Sequence, residues 1–235
     1  SGSVTTVLYA GASGRLPGLL EEGAPVNVRS DTLTYGGGAG AAVYAGDATL
    51  WQGATAIRAD RIVLDRASAG LVASGTARST IELDLGEAVG RAAGILYDDA
   101  ARTIIYDTPI ATSTVAGATP AAQLSGPQGD IRAQRIEIVL GRTTSSAERL
   151  EAYGNVSANL GVRVATGDRL TYFAEDERYV MSGIANMPVT IVEQCRETSG
   201  RTMTFFKSTE RIIVDGREEV RTQSRRGASC VATPA

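Results

Sequence analysis

The residue types that perform catalysis are thinly represented in this sequence. It contains no histidine, which removes the commonest general base and the commonest transition-metal ligand. A serine nucleophile would have to rely on Lys207, the only lysine, and on Ser208 beside it, with no motif around the pair. Two carboxylate pairs occur, Asp98-Asp99 and Glu218-Glu219, and both lie in polar, turn-like stretches where solvated turn residues are expected. A glycosidase needs two carboxylates across a cleft lined with sugar-stacking aromatics. One Trp and three Phe supply few of these. Gly36-Gly37-Gly38-Ala39-Gly40 is glycine-rich, but no strand-to-helix context follows, so it does not read as a phosphate loop. Asp47, Asp60 and Asp168 lack the dense Gly-Gly-x-Gly-x-Asp repeats of calcium-binding rolls. Cys195 and Cys230 stand 35 residues apart, without zinc-site spacing. In an oxidising compartment they can form a disulfide; otherwise they are two free thiols. The expectation is a protein with no catalytic residues, no metal site and no cofactor, and not an enzyme.

Bulk properties exclude further classes. A net charge of −3, with arginines scattered along the chain, leaves no nucleic-acid footprint. No apolar run reaches the 18 residues that a membrane helix needs. At 235 residues the chain is long enough to bury a core without disulfides. Ser1-Gly2-Ser3 reads as a cloning remnant, so a native signal peptide or N-terminal anchor is expected to have been removed.

The elements that would position any site are short strands. From Val28 onward, Val, Ile, Leu, Thr and Tyr alternate with polar residues, and Gly, Asp or Asn interrupts every 8–12 residues. Residues 1–27 are expected to be an irregular segment, with at most one helical turn near Leu16–Gly23, and residues 226–235 a flexible tail. Loose stretches are expected between Gly86 and Gly94 and over 112–127, with an optional division into a double module near 85–95.

The strands repeat. Gln52-Gly53-Ala54-Thr55-Ala56-Ile57-Arg58-Ala59-Asp60-Arg61-Ile62-Val63-Leu64-Asp65 has a close copy at Gln128-Gly129-Asp130-Ile131-Arg132-Ala133-Gln134-Arg135-Ile136-Glu137-Ile138. Asp31 to Gly46, Asp60 to Gly75 and Asp168 to Gly183 are each 15 residues. Units this small cannot bury an apolar face alone and must stack. Within the unit the apolar parity changes. Ile57 is odd, whereas Ile62 and Leu64 are even, and the same slip falls at Gln134-Arg135. A bulge or corner at Asp60-Arg61 would bring both sets to one side, so the sheet is expected to bend sharply there. The apolar lining of the bent sheet would be Leu33, Tyr35, Leu50, Ile57, Ile62, Leu64, Ile104, Ile110, Ile131, Ile136, Ile138, Leu150, Val156, Leu170, Met181 and Ile191.

Tyr44-x-Gly46-x-Ala48-x-Leu50-x-Gln52-Gly53, continuing through Ile57-Arg58-Ala59-Asp60-Arg61-Ile62, resembles the repeat of OstA-like proteins, the LptA/LptC group of lipopolysaccharide transport. The resemblance spans roughly residues 28–225 and is strongest at 42–83, 128–140 and 150–183. It implies an all-β, bent antiparallel β-jelly-roll, V-shaped in section and continuous over 28–225. It also implies a periplasmic location and an apolar groove, lined by the residues above, that shields the lipid A acyl chains of lipopolysaccharide. Implied partners are other jelly-roll modules joined by edge-strand pairing, an inner-membrane ABC transporter and an outer-membrane translocon, with a head-to-tail homo-oligomer compatible. Arg58, Arg61 and Arg135 are candidate rim contacts for phosphates. The alternative is a structural β-solenoid or adhesin-like scaffold with a filled core and no ligand.

Overall fold

Runs such as Val26-Asn27-Val28-Arg29-Ser30 alternate in burial along the chain, so each becomes an extended strand with one face turned inward. The structure, a computed structural model, describes residues 2–9, 15–36, 40–83, 86–107, 121–142, 146–193 and 196–215, and the backbone of 223–226. The first half of the chain forms β1 (Val4–Leu8), β2 (Val26–Ser30), β3 (Thr32–Gly36), β4 (Ala41–Gln52), β5 (Thr55–Asp65), β6 (Gly70–Leu83), β7 (Gly86–Asp98), β8 (Thr103–Asp107) and β9 (Ala122–Gly126). The second half forms β10 (Gly129–Ala133), β11 (Arg135–Leu140), β12 (Ala147–Leu160), β13 (Arg163–Phe173), β14 (Arg178–Ser182), β15 (Val189–Glu193), β16 (Arg196–Gly200), β17 (Thr202–Phe206), β18 (Arg211–Asp215) and β19 (Gln223–Arg226). All pairings are antiparallel and link the strands into one sheet, so the all-β expectation holds.

The longest strands serve two layers. β4 pairs with β3 through residues 41–45 and with β2 through 49–51. β7 pairs with β9 through 89–91 and with β8 through 94–98. β12 and β13 divide their partners in the same way, β11 and β14 on one side, β10 and β15 on the other. Where the halves meet, β4, β6 and β12 set two residues against one. Gly46 and Asp47 face Asp60, Gly75 and Thr76 face Ala93, and Gly154 and Asn155 face Asp168. Both residues of each pair have left-handed φ angles: 81° and 44°, 80° and 47°, 74° and 50°. Glycine accepts that conformation at no steric cost, and Asp and Asn tolerate it better than most residues. These bulges form the corner over which the sheet folds.

The corner explains the spacing of 15. The Asp31 amide donates to the Gly46 carbonyl at 3.0 Å, and a Cβ at Gly46 would overlap the Asp31 side chain. Asp60 crowds Gly75 in the same way, and Gln134 crowds Gly154. Asp168 and Gly183 are not such a pair, because Gly183 is hemmed in by the Met187 carbonyl and its amide donates to Arg201. The parity change at Asp60-Arg61 is present, with Ile57 and Ala59 buried before it and Ile62 and Leu64 after it. The extra residue, however, lies on the neighbouring strands. Strands with the two-residue bulge keep their parity, and the strands between them switch.

Three expectations about the chain's course are corrected. Val4–Leu8, within the segment expected to be irregular, pairs with β2 along its whole length. The stretch from Gly86 to Gly94, expected to be loose, is the first part of β7 and pairs with β6, so the sheet runs unbroken through 86–98. Of 112–127, residues 122–126 are a strand, and 112–120 lie outside the described residues.

On the outer face Glu151 is held by Arg149 Nε at 3.0 Å, by Arg169 Nη2 at 2.5 Å and by the Tyr153 hydroxyl. Burial works against its charge, but the hydrogen bonds from Tyr153 and Arg169 and the two guanidinium charges outweigh it and hold the carboxyl below its usual range. A lowered folded-state value stabilises the fold above the unfolded carboxyl range, near ~4.3, and that stability is lost as pH falls through the folded value. The melting-temperature gap between wild type and Glu151→Gln should therefore be widest at neutral pH and shrink below about pH 4. A gap that does not change with pH would refute this account. At the corner, Gly75→Ala should cost about 2–3 kcal/mol in chemical denaturation, because it adds a clash with Asp60 to the strained φ. Gly53→Ala, also at positive φ but with open space around it, should cost about 1 kcal/mol. Equal losses would mean that Asp60 does not crowd the corner.

Candidate functional site

Inward side chains from both layers meet in one apolar cluster. Of the residues expected to line the interior, Leu50, Ile57, Ile62, Leu64, Ile104, Ile131, Ile136, Ile138, Leu150, Val156, Leu170, Met181 and Ile191 all belong to it. Leu33 and Tyr35 do not; they are 37% and 57% exposed. They stand opposite Leu33's partner Tyr44 and Tyr35's partner Ala42, which places them on the inward face. Among the described residues, however, β3 pairs only with β4, and nothing covers it at that end of the sheet. Ile110, Cys195 and Cys230 lie outside the described residues.

Sequence reasoning missed the tyrosines. Tyr44, Tyr97, Tyr106, Tyr172 and Tyr179 are the largest fully buried side chains. Tyr106 on β8 reaches across to the opposite layer, its hydroxyl 2.7 Å from Ser79 Oγ on β6 and its ring against Gly90 on β7. Burial, only partly offset by Ser79, pushes its hydroxyl up to about 12, so it stays neutral. The signal was available in the nine-residue spacing of Tyr35 to Tyr44 and of Tyr97 to Tyr106, but spacing alone does not say which face a ring takes.

Opposite the corner, the turns of the two layers form a mouth, and the chain closes it in two places. In the first, residues 15–25 cross it as a strap. Leu19 and Leu20 drop into the apolar cluster. Gln52, at the end of β4, accepts from the Glu21 amide at 2.7 Å and donates to the carbonyls of Glu21 and Ala24 at 3.0 and 2.9 Å. On the other layer Asp99 accepts from the Gly18 amide at 2.9 Å, from Arg15 at 2.8 Å and from the Tyr97 hydroxyl at 3.1 Å. Asp99 is thus an anchor with a side chain only 10% exposed, and not the solvated turn residue expected. Buried amide and carboxylate side chains are retained where they satisfy backbone groups that no strand can pair.

In the second place, the 126–129 and 160–163 turns of one layer face the 207–210 turn of the other. The Tyr179 hydroxyl donates to the Gln128 carbonyl at 2.7 Å, and Lys207 Nζ donates to the Pro127 carbonyl at 3.0 Å. Lys207 is therefore a cross-layer contact, in place of the weak Ser-Lys pair considered from sequence. Two candidate rim arginines are elsewhere. Arg58 pairs with Asp47, and Arg135 with Glu137 and Asp107, beside the corner. Among the described residues no cluster of metal-ligating side chains occurs.

Residues 27–114 and 127–211 match the family model described as LptA/(LptD N-terminal domain) LPS transport protein. No curated protein matches the chain. Among solved structures, the chain is similar to LptH, titled the LptA homologous periplasmic component of the lipopolysaccharide transport device from Pseudomonas aeruginosa. The identity is 13% over 90% of each chain, and the TM-score of 0.21 is too low to support a structural argument.

Gln52→Ala removes three hydrogen bonds that tie down the strap and should cost about 1–3 kcal/mol. A Glu-specific protease should then cut at Glu21 or Glu22 at least about ten-fold faster than in wild type, while amide exchange in β5 and β6 stays unchanged. An unchanged cleavage rate would refute the anchoring role.

Proposed function

The chain belongs to the LptA/LptD N-terminal-domain family of lipopolysaccharide transport proteins, and on that premise we propose that it is a periplasmic component that shields lipopolysaccharide acyl chains between its two layers. The observation that carries this reading is the apolar cluster, which runs without a break from Val26 to Phe205 and has its mouth along one side. In this reading the sheet is a V-shaped jelly-roll that flexes at the corner and parts at the mouth. Burying a chain of a dozen methylenes contributes about 10 kcal/mol, at about 0.8 per CH₂. The cross-layer hydrogen bonds that would have to open contribute about 1 kcal/mol each. The balance favours lipid, provided the parted layers keep their own strand pairing.

The role is a conduit, and no catalytic step is assigned to it. The edge strands suit docking. Leu33 and Tyr35 on β3 continue the inward apolar face to the end of the sheet, where a strand from a second module would cover it. Other transport modules, an energising inner-membrane transporter and an outer-membrane acceptor are the partners this implies. A second reading, a ligand-free structural scaffold, is favoured by the near-zero exposure of the interior.

A photo-reactive benzophenone residue at Leu83, near the mouth, should cross-link lipopolysaccharide, whereas one at Val72 or Leu96, on the outward face, should not. Equal labelling at inner and outer positions would refute the interior as the site. The absence of any adduct would favour the scaffold.

A further inference from the structure

The second closure of the mouth differs in kind from the strap. Where the 126–129 and 160–163 turns face the 207–210 turn, a cavity of about 410 Å³ remains. Leu160, Tyr179 and Phe205 form its apolar wall, continuous with the interior, and Gln128, Arg163, Lys207 and the carboxylate of Glu210 form its polar side. The only lysine of the chain is thus gathered with an arginine whose side chain is just 11% exposed. Arg163 lies over the Phe205 ring, 5.1 Å from its centroid.

The hydrogen bonding here is incomplete. Nε of Arg163 and Nε2 of Gln128 are both buried and meet no acceptor in the protein, and Gln128 as a whole is only 8% exposed. Native proteins rarely leave such donors unmet unless something else accepts from them. Two of the three acidic partners of these cations, Glu210 and Glu177, are loosely held. Arg163 Nη2 contacts Glu193 at 2.8 Å but Glu210 only at 3.8 Å, and Lys207 Nζ stands 3.8 Å from Glu177. Glu210 is 78% exposed and Glu177 is 40% exposed. Exposed pairs at that distance hold little energy, so a better-placed anion exchanges for them readily.

We propose that this cavity binds the phosphate headgroup of an anionic amphiphile, with the Lys207 ammonium donating to its oxygens and the Arg163 and Gln128 side chains turning to bring their unmet Nε and Nε2 donors to them, while the acyl tail passes Tyr179 and Phe205 into the interior. A phosphate suits the site better than a carboxylate. The donors come from three separate side chains, and the Nη2 of Arg163 is already taken by Glu193, so the planar two-pronged pairing that a carboxylate favours is not on offer. The proposal rests on the reading of the interior as an acyl-chain site and adds to it the point where the charged end is held.

Three probes test it by calorimetry below their critical micelle concentrations: lysophosphatidic acid, monoacylglycerol of the same chain length, and inorganic phosphate. Wild type should bind lysophosphatidic acid about ten-fold tighter than monoacylglycerol, a gain of the size expected for charge-assisted hydrogen bonds. Lys207→Gln, at a partly exposed position, and Arg163→Gln should each reduce the ratio of the two affinities to about two-fold or less. Arg135→Gln, beside the corner, should keep the preference. Thermal unfolding of each variant separates lost binding from lost fold, and Lys207→Gln carries the test if Arg163→Gln does not fold. Equal affinity for the two amphiphiles, or a preference that survives Lys207→Gln, would overturn the headgroup site and leave the acyl-chain reading standing. Failure of both amphiphiles to bind would overturn the two together. Inorganic phosphate that binds as tightly as the lipid, with the same sensitivity to Lys207→Gln, would make this a free-anion site and overturn the lipid assignment.

Discussion

The fold depends on one geometric constraint: a continuous sheet must turn back over itself while every strand keeps its apolar residues inside. A strand that crosses the corner with one residue reverses which face its side chains take. A strand that crosses with two left-handed residues does not. The protein alternates the two solutions. β4, β6 and β12 carry Gly-Asp, Gly-Thr and Gly-Asn bulges, and β5, β7 and β13 between or beside them switch parity opposite. The side chain at one corner packs where a Cβ is missing at the next, Asp31 on Gly46 and Asp60 on Gly75. The corner is therefore a set of interlocked positions, and register is fixed across the sheet by the same residues that bend it.

Fixing the corner leaves the opposite side weak. There the layers are joined by turns and side chains instead of strand pairing, and the chain closes the gap with polar groups: Gln52 and Asp99 around the strap, Tyr179, Arg163 and Lys207 around the cavity. These contacts are individually modest, whereas the strand pairing and the corner are cooperative. A structure that is strong along one edge and weakly fastened along the other is suited to opening without unfolding. The aromatic residues fit that division. Tyr106 ties the layers together deep inside through Ser79, and Tyr179 ties them at the rim through the Gln128 carbonyl.

Much of the fold was legible in the sequence because the relevant signals are local. Alternation of burial follows from adjacent residues, and the parity slip at Asp60-Arg61 can be counted directly. The interior followed from the same count, and 13 of the 15 described residues expected to line it lie in the buried cluster. Leu33 and Tyr35 departed from it because exposure depends on what covers a strand, and β3 is at an edge. The strap was unreadable for a similar reason. Pro17 and Gly18 indicated a break in regular structure, but not that Leu19 and Leu20 would fill a space created by strands far away in the chain.

The sequence by itself determined that the chain is a repeated all-β sheet, bent at a predictable line and without histidine, because periodicity and residue type are properties of the chain read in order. Only the tertiary structure decided which residues stand at the mouth. Gln128, Arg163, Tyr179 and Lys207 come from four different turns and strands, and although Gln128 opens one copy of the repeat, the repeat does not say that the four meet. Their meeting depends on the corner bringing the ends of two layers together, a long-range consequence of the fold that no local pattern encodes.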